Sequence, residues 1–490
     1  MKKLFTNSAF FLYLLPVFFV MHGYTENYNL VPVKDAVWLT IFYIGCTIVV
    51  SLLCWLVYKN FRKADLTAFV LMVIFFFFGT VHDALKNILP NSFITKYSFI
   101  LPLLLILALL LIFLVKKSKS DFRQLFLYLN SVLLILLVVE ALSIVKKTAT
   151  TKNSVVSLNK EFTDCKNCPK PDIYMIITDG YTSNTALEEV FNFDNSAFEA
   201  ELRQRNFHVN KKSFSNYNAT AYSMNSILNL NYLSNLISLN DSKENLGICY
   251  ENIKQNQTLL FLKEIGYQFY NYSDFSFPGQ PAVTNPTFLL AKTRTITSQT
   301  LSGRISRDLW YHLATDLKLK SVINNYVYRQ LNNNNKVFKL TEDVVVKESV
   351  LPKFVYSHLI IPHNPYYFDK DGNPAPIEKL TDYSGANRKD YIEYLQYANK
   401  KLLSLIDHIK NKSSQPPIII LMGDHGFRQF NDSTEKKYQF MNLSSIFLPN
   451  ANYSGFYDSS SLVNQMRIFL NTQFNQKLPL LKDSTVFIQQ

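Results

Sequence analysis

Five side chains set far apart in the sequence have the types needed for one kind of chemistry: Asp179, Thr220, His363, Asp424 and His425. The two carboxylates, the Thr220 hydroxyl and the His425 imidazole make an oxygen-rich set with one nitrogen. Such a set suits one hard or borderline divalent ion, Mn2+ or Zn2+, and does not choose between them. An ion touching the Thr220 oxygen would lower the hydroxyl pKa and make it a nucleophile at neutral pH. It would also neutralise an anionic group under attack. Phosphoryl transfer needs this, because its catalysis is mostly positioning and charge stabilisation. Taken singly, each residue has a plainer reading. Asp179-Gly180 after a strand is a turn, Thr220 is a helix N-cap, and His363 between two prolines is a loop histidine. Arg428, just past the Asp-His pair, either binds phosphoryl oxygens or lies on the surface.

The elements around these residues favour the joint reading. Pro171 to Tyr181 contains the apolar run Ile173–Thr178 ending in Asp179-Gly180, the pattern of a buried parallel strand running into a turn. Lys353–Ile361 is strand-like and ends in Pro362-His363-Asn364-Pro365, and Ile418–Met422 ends in Gly423-Asp424-His425-Gly426. Further strands are expected at Gly266–Tyr272 and Ser444–Leu448, and helices at 195–205, 393–409 and 463–470. The stretch from Ser215 opens with polar, turn-prone residues and continues through Met224, Ile227 and Leu228 at helical spacing. Thr220 therefore lies at or near a helix N-terminus, where backbone N–H groups and the dipole favour a phosphate or sulfate. Strands alternating with helices predict a doubly wound sheet. Polar residues at the carboxyl ends of its strands converge in space. Residues 280–350 look irregular, with the asparagine run 332–335 as a surface loop and Arg304, Arg307 and Trp310 as residues shaping acceptor specificity.

The chain has 490 residues, 48% of them hydrophobic, and a formal charge of +13, so more than one domain is expected. Up to residue 144 there are twelve Lys/Arg against six Asp/Glu, a surplus of six that leaves seven downstream. That mild surplus carries no basic stripe with interleaved aromatics, so no nucleic-acid partner is expected. Five apolar segments stand out, at about 4–20, 36–57, 66–81, 97–115 and 125–145, each near the ~17–20 residues that cross a bilayer. Lys2, Lys3, Lys59, Arg62, Lys63, Lys116, Lys117, Lys119 and Arg123 all fall on one side of these segments. The other short loops hold as many acids as bases, which places the N-terminus in the cytoplasm and the chain after Val145 outside. The first segment could be a cleaved signal peptide, but no small-x-small site follows it, and a retained helix is the reading adopted.

Domains are thus expected at 1–148 (five transmembrane helices), 149–170 (linker) and 171–490 (catalytic). Glu140 near the outer end of the fifth segment is either functional or merely reaching the interface. His82-Asp83, just after the third segment at the outer surface, either faces a lipid headgroup or lies in a solvated loop, and the loop is the reading adopted. Cys165 and Cys168 in the linker read as a structural disulfide outside the cytoplasm, with the odd Cys249 leaving the pairing open.

The motifs "IITDGY" (Asp179), "SNYNATAYS" (Thr220), "LIIPHNPY" (His363) and "LMGDHGFR" (Asp424, His425) together resemble the alkaline phosphatase superfamily in its sulfatase-like branch. More narrowly, the chain resembles five-helix membrane enzymes such as lipoteichoic acid synthase and phosphoethanolamine transferases. The resemblance implies an α-helical membrane domain followed by an α/β sulfatase-like domain in a bacterial plasma membrane, with the catalytic part periplasmic or extracellular. It implies that Asp179, Thr220, Asp424 and His425 hold the metal, that Thr220 is phosphorylated, and that His363 contacts the phosphoryl group. Thr220-Ala-Tyr-Ser-Met lacks the Pro and Arg of the sulfatase C/S-x-P-x-R motif, so sulfate-ester hydrolysis is not expected. No histidine follows His425, which favours a single-metal site. The first ligand is Asp where the closest transferases use Glu.

The leading functional expectation is a phosphotransferase taking a headgroup phosphate from a phospholipid donor to a glycan or lipid acceptor. A phosphodiesterase or phosphatase using water instead, and a non-enzymatic lipid sensor of the same fold, are the alternatives.

Overall fold

The structure, a computed structural model, describes residues 2–489 apart from 29, 91, 153–156, 166–167, 235, 237, 285–292, 311–312, 314–316, 318, 382–386 and 431–433. It divides into two compact units. One comprises Met1–Val155 with Leu290–Ile323, the other Val156–Leu289 with Asn324–Gln490.

In the first unit, four helices are long and apolar enough to cross a membrane: Val33–Tyr58, Phe61–Ile88, Tyr97–Lys117 and Arg123–Ala149. A shorter apolar helix, Phe10–Glu26, packs among them. Its Phe11, Leu12, Leu15 and Phe19 lie in the apolar core of the bundle, together with Phe76 and Phe126. Asn130, fully buried on the helix that begins at Arg123, accepts from the Phe11 N–H at 2.6 Å and donates to the Phe5 and Ser8 carbonyls at 2.8 Å. Backbone groups at a helix start that would otherwise be orphaned in an apolar setting are satisfied this way.

One reading of this region is corrected. His82 and Asp83 are not in a solvated loop, because the third apolar segment continues as helix through Ile88. His82 is buried with Nε2 2.8 Å from the Thr95 carbonyl, and Asp83 accepts from both terminal nitrogens of Arg304. Glu140 has a partner, His22, whose Nδ1 lies 2.8 Å from its Oε1.

The segment after Leu290 contributes short helices Arg294–Thr297 and Leu301–Asp308 to this unit. Ile296 enters the bundle core, the Gly79 N–H donates to the Gln299 carbonyl at 2.8 Å, and the Tyr97 hydroxyl donates to Asp308.

The second unit is built on one six-stranded sheet of β1 (Ile173–Thr178), β2 (His208–Val209), β3 (Gln268–Tyr272), β4 (Lys353–Leu359), β5 (Ile418–Gly423) and β6 (Ser444–Phe447), in the order β2-β6-β5-β1-β4-β3. β3, β4, β1 and β5 are parallel, while β6 and β2 join antiparallel at one edge. Every residue of β1, β4, β5 and β6 is buried, as the unbroken apolar runs of the two central strands require. The register is what matters for function. Thr178 stands opposite Leu359 on one side and Gly423 on the other, so three strands end level.

The asparagine run 332–335 is not a surface loop. It lies in the helix Arg329–Val345, whose Val337, Phe338, Thr341, Val344 and Val345 are buried at helical spacing. Asn334 points inward, donating to the Ile360 carbonyl at 2.9 Å and accepting from the Ile360 N–H at 2.8 Å. It therefore fixes the backbone just after β4, where the His363 loop begins; that loop has cis peptides at Ile361-Pro362 and Asn364-Pro365. Cys165 and Cys168 form the expected disulfide.

Asn334→Ala leaves a buried N–H and carbonyl unpaired, so it should destabilise the protein by about 1–3 kcal/mol. Thermal unfolding of the detergent-solubilised full chain, compared with Asn333→Ala, measures this.

Candidate functional site

Level strand ends bring the distant motifs together. Asp179 follows β1, Asp424 and His425 follow β5, and the chain leaving β4 reaches His363. The Asp179 N–H continues the ladder to the Leu359 carbonyl at 2.9 Å, and the Asp424 N–H to the Thr178 carbonyl at 3.1 Å. Two glycines permit the crowding. Gly180 has φ +67°, a left-handed conformation that glycine adopts without strain. A Cβ on Gly423 would come within 2.5 Å of the Tyr181 carbonyl.

Asp179, Asp424 and His425 are buried, and each offers one ligand atom within 4.8 Å of the others. His425 Nε2 lies 3.4 Å from Asp424 Oδ2 and 3.7 Å from Asp179 Oδ1. His425 Nδ1 is 2.7 Å from the Gly426 carbonyl. That contact assigns the proton to Nδ1 and turns the Nε2 lone pair toward the carboxylates. Asp424 Oδ1 accepts from the Gly180 and His425 N–H groups at 3.0 and 2.8 Å. The other three carboxylate oxygens, both of Asp179 and Oδ2 of Asp424, have no hydrogen-bond partner among the described residues.

Burial, and then the neighbouring Asp424, push the Asp179 carboxyl well above the ordinary range, with Arg428 opposing. Burial and the Arg428 charge hold His425 well below the usual imidazole value. Three orphaned buried oxygens around a neutral imidazole nitrogen form a donor set that a divalent cation fits. Nothing in the set distinguishes Mn2+ from Zn2+.

Thr220 is not an N-cap. Ala219 takes that position with no side-chain cap, and Thr220 is the first residue of the helix Thr220–Asn229. Its Oγ1 lies 3.3 Å from His425 Nε2, so the hydroxyl faces the same donor set, and the uncapped first turn presents N–H groups to an anion. Ser223, one turn on, donates its hydroxyl to the Asp424 carbonyl and ties this helix to the end of β5.

His363 lines a small pocket with Gly180, Tyr366, Tyr391, His425, Phe427, Arg428 and Gln429. A Cβ added at Gly180 would sit 3.9 Å from the His425 ring and 4.0 Å from the His363 ring. Burial holds His363 down at about 4, against the opposing pull of the Asn364 carbonyl on its Nδ1, so it is neutral at pH 7. Arg428 is half-buried in the same pocket, and its charge acts on Asp179, His363 and His425. A bond that the sequence did not reveal holds the two pocket walls in place. Gln429 donates to the Asn364 side chain at 2.8 Å.

Asp274 was also missed. It follows β3 as Asp179 follows β1, and its charge reaches Asp179. The rule that selected Asp179, an acid just past the carboxyl end of a parallel strand, would have found it. Burial raises its carboxyl to about 6, with a hydrogen bond from the Thr284 hydroxyl opposing. His358 is a packing residue inside β4, near Phe275 and Tyr356, as its place in the strand implies.

Comparison with family models finds no match, and comparison with curated proteins finds none. Among solved structures, the chain is similar to the C-terminal periplasmic domain of EcEptC from Escherichia coli (14% identity, 69% of this chain and 94% of that one, TM-score 0.41). It is also similar to the C-terminal periplasmic domain of the phosphoethanolamine transferase EptC from Campylobacter jejuni (16%, 64% and 94%, TM-score 0.35). A third is an alkaline phosphatase superfamily protein from Vibrio parahaemolyticus (12%, 66% and 73%, TM-score 0.36). At such low identity, the side chains of the site must carry any functional reading.

Two measurements test the site. Asp179→Asn removes one of two crowded buried acids, so the metal-stripped variant should melt higher than the parent. The same change should abolish stabilisation by added Mn2+ or Zn2+, which for the parent is about 2.7 kcal/mol at ion concentrations near 100 times Kd. For Asp274 the raised carboxyl stabilises the metal-stripped fold below its unfolded value of 3.8, and that contribution is lost as pH rises through about 6. Asp274→Asn should therefore flatten the fall in melting temperature between these two pH values.

Proposed function

We propose that the chain is a membrane-anchored, metal-dependent phosphotransferase that uses Thr220 as its nucleophile. The observation that carries this reading is the Thr220 hydroxyl at an uncapped helix start, 3.3 Å from His425 Nε2 and beside carboxylate oxygens without partners. The metal would be held by Asp179, Thr220, Asp424 and His425. When bound, the ion would supply Lewis-acid charge that stabilises the threonine alkoxide and the attacked phosphoryl group.

The residues of the chain do the rest. Thr220 Oγ attacks the phosphorus of an anionic phosphodiester, and the bond from phosphorus to the lipid glycerol oxygen breaks. The threonine proton passes to that departing oxygen, leaving a diacylglycerol and a phosphothreonine that carries the headgroup. The first-turn N–H groups and Arg428 face the phosphoryl oxygens. His363, neutral at pH 7, is placed to hydrogen-bond the same group without adding charge. An acceptor hydroxyl then attacks the phosphothreonine phosphorus, the phosphorus–Oγ bond breaks, and the proton lost by the acceptor hydroxyl returns to Thr220 Oγ. The donor is a phospholipid and the acceptor a glycan or another lipid. In this reading all five apolar helices, the shorter Phe10–Glu26 among them, cross a bacterial plasma membrane. The N-terminus is cytoplasmic, as the lysines and arginines at one end of the bundle indicate, and the sheet unit faces the periplasm or exterior.

Incubating the purified full chain with labelled phospholipid and Mn2+ should yield a labelled phosphothreonine at Thr220, detected by mass spectrometry. Thr220→Ala should lower turnover on the order of 10³-fold or more while retaining bound ion. Turnover by the parent without any adduct would sink the covalent route. Release of free headgroup phosphate at the same rate with and without acceptor would make water the acceptor and the protein a hydrolase.

A further inference from the structure

The segment Leu290–Ile323 interrupts the sheet unit in sequence yet belongs to the helical one. Its anchors all lie at one end of the bundle. Arg304 is buried and gripped by Asp83, near the last turn of the helix Phe61–Ile88. Asp308 accepts from Tyr97, the first residue of the helix Tyr97–Lys117. The turn joining these two helices carries exposed apolar side chains, with Ile88 73% and Phe93 61% accessible.

Beyond Asp308, the side chains of Trp310, Leu313, Leu317 and Leu319 do not turn inward. Trp310 is 43% exposed and Leu317 66%, with Leu313 and Leu319 exposed as well. Trp310, Leu313 and Leu317 recur at intervals of three and four residues, the spacing of one helical face. Lys320, also exposed, opens the next helix, Lys320–Val327. Trp and Leu on one face with basic residues at its margin is the composition of a helix lying in a membrane interface. The tie at Tyr97 sets the depth, because Trp310 is only two residues past a bond to the first turn of a membrane-length helix. The arginines that looked free to shape an acceptor site are engaged, Arg304 by Asp83 and Arg307 by Asp308.

We propose that Trp310, Leu313, Leu317 and Leu319 form a lipid-contacting ledge, seated at the headgroup–acyl boundary of the leaflet at this end of the bundle. Its occupant is the bilayer surface, on the ground that these exposed side chains follow directly on Asp308, which is tied to the first residue of the membrane-length helix Tyr97–Lys117. The inference does not depend on the phosphotransferase reading.

The test uses the full chain with Trp38→Phe and Trp55→Phe, leaving Trp310 as the single tryptophan, reconstituted in phosphatidylcholine–phosphatidylglycerol vesicles. Lipids brominated near the headgroup should quench Trp310 more than lipids brominated near the chain ends, and aqueous acrylamide should quench it weakly. Leu313→Glu with Leu317→Glu should reduce the bromine quenching and raise the acrylamide quenching. If the double tryptophan variant does not fold, the difference between the unaltered chain and its Trp310→Phe variant gives the same readout. Emission untouched by bromine at either depth would overturn the proposal, whether acrylamide reaches Trp310 or a cross-linkable second copy of the chain shields it.

Discussion

Two carboxylates buried side by side without enough donors are the constraint around which the sheet unit is arranged. Asp179 and Asp424 stand on adjacent strands, both fully buried, with three of four oxygens lacking a hydrogen-bond partner among the described residues. A core of this kind is unfavourable unless a cation enters or a proton is retained. The surrounding backbone keeps the pair in place. The ladder bonds from the Asp179 and Asp424 N–H groups hold the two Cα positions, Gly423 lets the backbone approach where a side chain would collide, and Gly180 takes the left-handed turn after β1. His425 is locked in one tautomer by the Gly426 carbonyl. The site is therefore preorganised by main chain, and its charge imbalance is built in.

Much of this was legible in the sequence because strands buried on both faces leave an unbroken apolar run, and a polar residue at its end is conspicuous. β1 and β5 are such runs, and the register that levels them follows from pairing identical lengths. The edge was less legible. β2 is two residues long and antiparallel to β6, and so short a strand has no period to read. The asparagine run misled for a different reason. Asparagine favours turns through local side-chain hydrogen bonds, but Asn334 satisfies its amide on the Ile360 backbone instead, a long-range contact that local preference does not encode. Asp274 failed to stand out because β3 (Gln-Phe-Tyr-Asn-Tyr) carries polar residues within it and Ser273 follows, so its end is not marked by a break in hydrophobicity.

The membrane unit shows the same dependence of local form on distant partners. Helix Phe61–Ile88 carries His82 and Asp83 in its last two turns, residues that by themselves suggest its end. They stay helical because Thr95 and Arg304 provide partners. Asn130 plays the corresponding part at the opposite kind of boundary, replacing water at the start of Phe10–Glu26.

The excursion Leu290–Ile323 means that the polypeptide passes between the two units three times. Its consequence concerns biogenesis. β1 and β3 leave the ribosome before the excursion, and β4 and β5 after it, so the central sheet cannot close until the excursion has been synthesised. A polypeptide severed after Val155 would carry Ile296 and Arg304 with the apolar cavity and the counter-charge they require left behind on the missing piece. Secretion of the sheet unit alone would expose Ile296 and Arg304, which are buried in the intact chain.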